Sequence, residues 1–324
     1  MSKPTAPVRI TLEVAARTHV GVKRTENEDR VLVADLEGNA AHVGAFTGRL
    51  IVGSGGALLA VCDGMGGEAG GEVASTTAVA TLYREALSAL PGRNTMGVAR
   101  GLLEAVQAAS RDIEQLGTLH AELSRMGTTA TVCAVADQAL IFAQVGDSRA
   151  YLLRNERLVQ LTRDQTLATL LLERGQLTPD QLDNFEFSHV ILQALGHTGG
   201  VDVDLGALRL VHGDLLLICS DGLYGCVDDA ALAIALRSSG TLDAVCDELV
   251  RLALAAGAPD NVSCLVARAS GALADPAAAV AKLDKVVLPV EPPSLAAPLI
   301  AAPSDEAGAA DGPLARLRAF FHGT

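Results

Sequence analysis

Residues 129–154 read TATVCAVADQALIFAQVGDSRAYLLR. Three apolar runs follow one another here, at 129–135, 139–145 and 149–154. Asp137-Gln138 separates the first two, and Gly146-Asp147-Ser148 the second two. Runs rich in β-branched and aromatic residues, bounded by turn formers, read as strands. Connections this short return a strand antiparallel beside its predecessor, because a parallel crossover needs a dozen or more residues. The stretch therefore predicts consecutive hairpins rather than βαβ units.

Further strand-like runs lie at 9–14, 30–34, 57–62, 215–219 and 262–267. Helical spacing appears over 72–90, with Val73, Thr77, Leu82, Ala86 and Leu90 on one face. It recurs over 97–116, with Val98, Leu102, Val106, Ala109, Ile113 and Leu116. A third helix is predicted over 242–256, stopped by Gly257 and Pro259. A short one opens at Thr178-Pro179-Asp180, with Thr as cap and Pro at the first helical position. Helices in separate blocks would cover the sheets from outside. The expected fold is α+β, a four-layer α-β-β-α sandwich of two antiparallel sheets. It would occupy residues 9–270. Residues 271–324 are dominated by Ala and Pro and read as a linker and tail. Leu314, Leu317, Phe320 and Phe321, with Arg316 and Arg318, could form one or two amphipathic turns there. A frayed tail is the plainer reading, and docking on a partner or on the domain the sharper one.

The 324 residues are 49% hydrophobic, enough for a full core, and carry a formal net charge of -13. That charge argues against nonspecific nucleic-acid binding, which needs basic surface to displace counterions. The six cysteines form no Cys-x-x-Cys pair and sit mostly in apolar runs. They read as buried free thiols in a reducing compartment. Residues 1–8 show no signal-peptide pattern. No run reaches the roughly 18 to 20 apolar residues of a membrane span, and residues 294–302, the nearest, contain Pro298. The expected location is the cytoplasm.

Several apolar strands end in Asp followed by small residues: at Asp63-Gly64-Met65-Gly66-Gly67, Asp147-Ser148 and Asp221-Gly222. Asn27-Glu28-Asp29 is read in the same strand-end context, and Pro259-Asp260-Asn261 precedes a strand. An Asp at a strand end projects at the sheet rim, and Gly beside it lets backbone approach a ligand. Carboxylates with carbonyls and water suit hard divalent cations, and no His or Cys spacing suggests zinc. A lone Asp-Gly is more often a turn. The glycines between Gly64 and Gly71 exceed what a turn needs and lead into a helix.

Taken in order, these runs resemble the metal-dependent protein phosphatases (the PPM, or type 2C, family), in the bacterial branch that opposes Ser/Thr kinases. The resemblance spans about residues 9–268. It rests on Gly21-Val22-Lys23-Arg24, Asn27-Glu28-Asp29, Asp63-Gly64-Met65-Gly66-Gly67, Gly71-Glu72-Val73-Ala74, Met126-Gly127-Thr128-Thr129 and Val145-Gly146-Asp147-Ser148-Arg149. Leu161-Thr162-Arg163-Asp164, Ala194-Leu195-Gly196, Cys219-Ser220-Asp221-Gly222-Leu223 and Pro259-Asp260-Asn261-Val262-Ser263 continue it.

The resemblance implies Mn²⁺ or Mg²⁺ as cofactor, with two ions in a core site and room for a third. Asp63 would bridge the two core ions, with the Gly64 carbonyl on one and Asp221 and Asp260 on the other. Glu28 and Asp29 would act through water, and Asp147 with Asp221 would hold the third ion. Arg24 stands where the family binds phosphate, and its planar fork suits phosphoryl oxygens. Hydroxide from the metals would attack, so no Ser, Cys or His nucleophile is needed. Some members carry His at the position of Met65 as general acid; its absence predicts that the leaving oxygen takes its proton from metal-held water. Ser148 is expected to bond behind the site, Arg149 to be structural, and Asp164 to open a flap over 165–195. That flap departs from the pattern at Phe185, Glu186 and Gln193, as does His19 near the first strand's end. Cys226 is expected to pack.

The implied function is hydrolysis of phosphoserine and phosphothreonine on proteins, by a monomer whose partners are phosphoproteins including a Ser/Thr kinase. A phosphoprotein-binding pseudophosphatase would usually lack the metal carboxylates, which are present here. A phosphatase of small phosphate esters would use the same residues.

Overall fold

The computed structural model describes residues 10–66, 70–182, 185–275 and the backbone of 286–287. Gly67, the expected strand start at Arg9, residues 294–302 and the apolar and basic residues of the tail lie outside them.

Among the described residues fifteen strands run in chain order: β1 (Ile10–His19), β2 (Arg30–Asp35), β3 (Ala40–Val43), β4 (Phe46–Val52), β5 (Ala57–Cys62), β6 (Gly64–Met65), β7 (Gly127–Thr128), β8 (Ala130–Ala136), β9 (Ala139–Val145), β10 (Arg149–Arg154), β11 (Arg157–Gln160), β12 (Asp204–Arg209), β13 (Leu215–Cys219), β14 (Val262–Gly271) and β15 (Val286–Val287). One sheet has the order β11-β10-β13-β14-β1-β4 and the other β15-β12-β9-β8-β5-β2-β3. All their pairings are antiparallel. The hairpin expected at Asp137-Gln138 closes on the Ala136–Ala139 pair, with Asp137 left-handed (φ 52°) as such a turn demands. The second expected return, at Gly146-Asp147-Ser148, is no hairpin: β9 pairs in one sheet and β10 in the other, so these three residues carry the chain across the sandwich, where facing sheets rather than one ladder bury the two strands.

β5 and β13 are apolar at every position because both of their faces are covered. On β5, Leu58, Ala60 and Cys62 face one core, and Ala57, Leu59 and Val61 face another. The first core lies beneath helices α1 (Gly70–Ala89) and α2 (Thr95–Leu119). The second lies between the sheets, where Val61 and Leu59 join Leu12, Val14, Ile218 and Leu265. After the short flap helices α3 (Leu167–Glu173) and α4 (Pro179–Leu182) come α5 (Asp221–Tyr224), α6 (Asp229–Arg237) and α7 (Leu242–Ala255). Helices α6 and α7 cover the other sheet through Leu232, Leu236, Val245 and Leu249, packed with Leu217, Cys264 and Val266. This is the expected four-layer α-β-β-α sandwich.

Details differ. The buried face of α1 is Ala74, Ala78, Leu82 and Ala86, while Val73 and Thr77 are half-buried. Small side chains let α1 lie close to the sheet, so its stripe is poorly marked in hydropathy. Helix α2 begins earlier than 97 because the Asn94 side chain caps it, accepting from Gly97 N at 2.9 Å. Before α4, the bond recorded is from Thr178 N–H to Gln181 Oε1 at 3.0 Å, the reverse arm of a capping box. In the stretch read as linker, β15 adds two residues to the edge of β12. Among the described residues no helix is long and apolar enough to cross a membrane.

Candidate active site

Strand register gathers the acidic clusters at one rim. Asn27-Glu28-Asp29 does not end a strand but leads into β2, whose Arg30 pairs with Cys62 and so sets Asp29 beside Asp63. Arg149 pairs with Cys219 and Cys219 with Cys264, setting Asp147, Asp221 and Asp260 at neighbouring strand ends. Cross-links then tie the two sheets together there. Ser220 Oγ donates to Asp29 Oδ2 at 2.8 Å. Asn261 Oδ1 accepts from Glu28 N at 2.8 Å, while its Nδ2 donates to the carbonyls of Val20 and Glu26, both at 2.9 Å. The register thus brings Glu28, Asp29, Asp63, Asp147, Asp221 and Asp260 to one place.

Glycine makes room for this convergence. A Cβ on Gly64 would stand 2.2 Å from the Gly71 carbonyl oxygen, and one on Gly222 would stand 2.0 Å from that of Asn261. The loop of Gly64 and the turn of Asp221 can close on their neighbours only without side chains at these two positions.

The electrostatics are those of crowded like charge, offset at its edge by Arg24 beside Asp260. Burial, reinforced by Asp29, Asp221, Asp147 and Asp260, pushes Asp63 well above the carboxylate range. Burial also raises Asp221, with Asp260 adding to it, and Asp63 lies within hydrogen-bonding reach of its carboxyl. Asp29 and Asp147 are each pushed up to about 7, chiefly by burial. Three buried oxygens, Glu28 Oε1, Asp29 Oδ1 and Asp221 Oδ1, have no hydrogen-bond partner. Orphaned acceptors among repelling carboxylates call for a positive charge.

Among the described residues no group of three or more His, Cys, Asp or Glu side chains is placed to hold a metal ion. An ion that keeps several waters and takes only one or two carboxylates, the habit of Mg²⁺, needs no such group. The all-oxygen donors and the three orphaned atoms fit that kind of ion.

A pH effect follows. With metal chelated, the folded chain holds protons on Asp29 and Asp147 up to about pH 7. The unfolded chain releases them near roughly pH 4. Folding therefore takes up protons in this window, and stability falls as pH rises through it. In EDTA the melting temperature is expected to be higher at pH 5 than at pH 8, and Mn²⁺ at pH 8 to recover the loss. A Tm in EDTA that rises from pH 5 to pH 8 would contradict the crowded-carboxylate account.

Arg24 stands beside the cluster with its side chain 50% exposed. Its Nη2 donates to Asp260 Oδ2 at 2.7 Å, and its Nη1 lies 4.0 Å from Glu28 Oε2. The arginine expected to bind phosphate is thus at the carboxylate cluster with part of its fork unused.

Residues 53–174 match the family profile described as Protein phosphatase 2C. Protein phosphatase PhpP of Streptococcus pneumoniae is 32% identical over 252 residues, covering 78% of this chain and 95% of that protein. The chain belongs to the protein phosphatase 2C family. Serine/threonine protein phosphatase PstP of Mycobacterium tuberculosis is 35% identical over 264 residues, 81% of this chain. That alignment covers 46% of PstP, so the chain spans about half the length of this relative. The solved catalytic domain of PstP in complex with two manganese ions matches with a TM-score of 0.65 at 34% identity, covering 81% of this chain and 99% of that one.

In this phosphatase 2C chain the flap is anchored at both ends. Gln165 N donates to the Gly146 carbonyl, and Gln165 Oε1 accepts from Gly146 N, both at 2.9 Å. At the far end Leu195 bridges to Thr128. Arg149 grips Asp164 through Nε at 3.0 Å and Nη2 at 2.6 Å, donates to the Tyr151 hydroxyl at 2.8 Å, and stacks 3.7 Å from the centre of the Tyr224 ring. The structural part expected of Arg149 is therefore specific: it holds the residue before the flap. Ser148 bonds behind the site, to Thr129 Oγ1 at 2.8 Å. At the departures from the family pattern, Gln193 Oε1 accepts from Asp202 N at 3.4 Å, the rings of Phe185 and Phe187 meet edge-on, and His19 Nδ1 accepts from Gly21 N at 2.9 Å. Cys226 is half-buried against the α6–α7 core, and the other five free cysteines are buried. Sequence reasoning assigned no role to Asn261, Ser220 or Thr129. Their place inside the quoted motifs was the available signal.

Proposed function

We propose that the chain hydrolyses phosphoserine and phosphothreonine on proteins in a metal-dependent reaction, opposing Ser/Thr kinases. The observation that carries this reading is the ring of carboxylates around Asp63 with three orphaned buried oxygens. Asp63 with the Gly64 carbonyl, Asp221 and Asp260 would hold the core ions, Asp147 with Asp221 a third, and Glu28 and Asp29 would act through water. Bound Mn²⁺ or Mg²⁺ supplies Lewis acidity at the phosphoryl oxygens and makes water a nucleophile near neutral pH. Arg24 binds and orients the phosphoryl group through its planar donors. Met65 offers no proton, so the leaving serine or threonine oxygen takes one from water. The flap, held to Gly146 by Gln165, borders the approach of the substrate. The reading extends to a monomeric protein in the cytoplasm with a Ser/Thr kinase among its substrates.

Phosphate release from a phosphothreonine peptide in Mn²⁺ tests the reading. Turnover lost in EDTA is expected, with a higher kcat/KM on the peptide than on a simple aryl phosphate. Absence of turnover would contradict the proposal, and equal rates would favour small esters as substrates. Arg24→Ala is expected to lower kcat/KM by about 10- to 100-fold, the range for a lost charge-assisted pair. Circular dichroism should be unchanged, because the residue is half exposed.

A further inference from the structure

Asp63 follows β5 and Asp147 follows β9, strands on either side of β8 in one sheet, and like charge drives them apart. Their spacing needs a rigid support that brings no charge of its own, because a cation there would compete with bound metal. Thr129, fully buried ahead of β8, meets that need. Its Oγ1 accepts from Asp63 N at 3.0 Å, and its own N–H donates to the Asp63 carbonyl at 2.9 Å. The same Oγ1 bonds Ser148 Oγ at 2.8 Å, one residue beyond Asp147. Its methyl packs on the residue before Asp147: a Cβ on Gly146 would stand 2.7 Å from Thr129 Cγ2.

The Asp147 loop is stiff on its other side as well. Gln144, fully buried, donates through Nε2 to the carbonyls flanking Asp147, Gly146 at 2.9 Å and Ser148 at 2.8 Å. Its Oε1 accepts from Thr131 Oγ1 at 2.6 Å. Thr129 is thus a neutral joint between a backbone fixed at Asp63 and a loop fixed around Asp147.

We propose that Thr129 is a positioning residue that sets the spacing of Asp63 and Asp147 through its hydroxyl, and so tunes how tightly the site holds divalent ions. The inference rests on the reading that these two aspartates hold metal. Groups that orient metal ligands from behind are commonly worth about 10- to 100-fold in affinity. Thr129→Val keeps the shape and removes the hydroxyl; Thr129→Ser keeps the hydroxyl and removes the methyl.

Mn²⁺ titration calorimetry on the full chain reads the difference, with melting in EDTA beside it. Thr129→Val is expected to weaken Mn²⁺ binding by about tenfold, and Thr129→Ser to stay within about threefold of the parent. A Thr129→Val protein that melts lower yet binds Mn²⁺ like the parent would overturn the inference, leaving only a packing role. Thr129→Ser as weak as Thr129→Val would overturn it too, by assigning the effect to the methyl. Should Thr129→Val not fold, Ser148→Ala cuts the same link from the other side; weaker Mn²⁺ binding supports the proposal and an unchanged isotherm overturns it. A parent chain that binds no Mn²⁺ would overturn the proposed function and this inference together, whereas parental binding with an unaffected Thr129→Val overturns the inference alone.

Discussion

Asp63→Asn is expected to lower kcat by about 10³-fold, equivalent to roughly 4 kcal/mol of lost transition-state stabilisation. The asparagine is the same size. It keeps the backbone bonds of residue 63 to Thr129 and the Thr128 hydroxyl, at 2.9, 3.0 and 2.8 Å. What it removes is the ionisable group at the centre of the cluster, whose charged form is opposed by burial and by Asp29, Asp221, Asp147 and Asp260. In EDTA at pH 8, its loss relieves repulsion, and the melting point is expected to rise by about 2–4 °C. Opposite signs for stability and activity are the signature of a residue retained for chemistry. A variant that melts lower and works less would instead point to structural damage, and one that retains activity would remove Asp63 from the site. The comparison is made by melting in EDTA and kcat in saturating Mn²⁺.

Gly222→Ala is expected to be damaging for the opposite reason. Gly222 is the second residue of α5, next to Asp221, and the added carbon would stand 2.0 Å from the Asn261 oxygen and 2.9 Å from its carbonyl carbon. Those are backbone atoms of the loop that carries Asp260, so no side-chain rotation relieves the clash. Either Asp221 or Asp260 must move. Overpacking of this kind costs about 1–3 kcal/mol, or roughly 5 °C in melting temperature. The same displacement separates two candidate ion ligands, so Mn²⁺ affinity and turnover should fall with stability. Gly92 offers the contrast: it has positive φ but nothing within 4 Å, so substitution there should cost backbone strain and leave the site alone. Equal melting points for Gly222→Ala and the parent would show that the loop gives way without effort.

Much of the architecture could be read from the chain because strands such as β5 and β13 are extreme. Residues 57–62 are all apolar, and the structure buries both parities of that run in different cores. The elements missed in the sequence are those where this signal fades. β3 is exposed at all four positions, and β4 alternates through half-exposed ones. β12 contains Gly206, whose missing side chain is replaced by the Phe142 ring, 2.2 Å from where a Cβ would lie. Glycine there weakens the strand pattern because a neighbour supplies the bulk. Helix α6 was missed too, although Asp228 caps it by accepting from Ala231 N at 2.8 Å.

The acidic rim was legible for a local reason: strand, Asp and small residue recur together. Its supports were not. Asn261 joins Glu28 across 233 positions and Ser220 joins Asp29 across 191, and no local pattern reports such pairs. The orphaned oxygens of Glu28, Asp29 and Asp221 likewise exist only once the clusters meet.

The number of Mn²⁺ ions bound per chain tests the account most directly, counted by equilibrium dialysis in saturating metal alongside turnover of a phosphothreonine peptide. The account predicts at least two ions in the parent, and fewer in Asp63→Asn with activity lost in parallel. Fewer than two ions bound by a parent chain that still releases phosphate would contradict it.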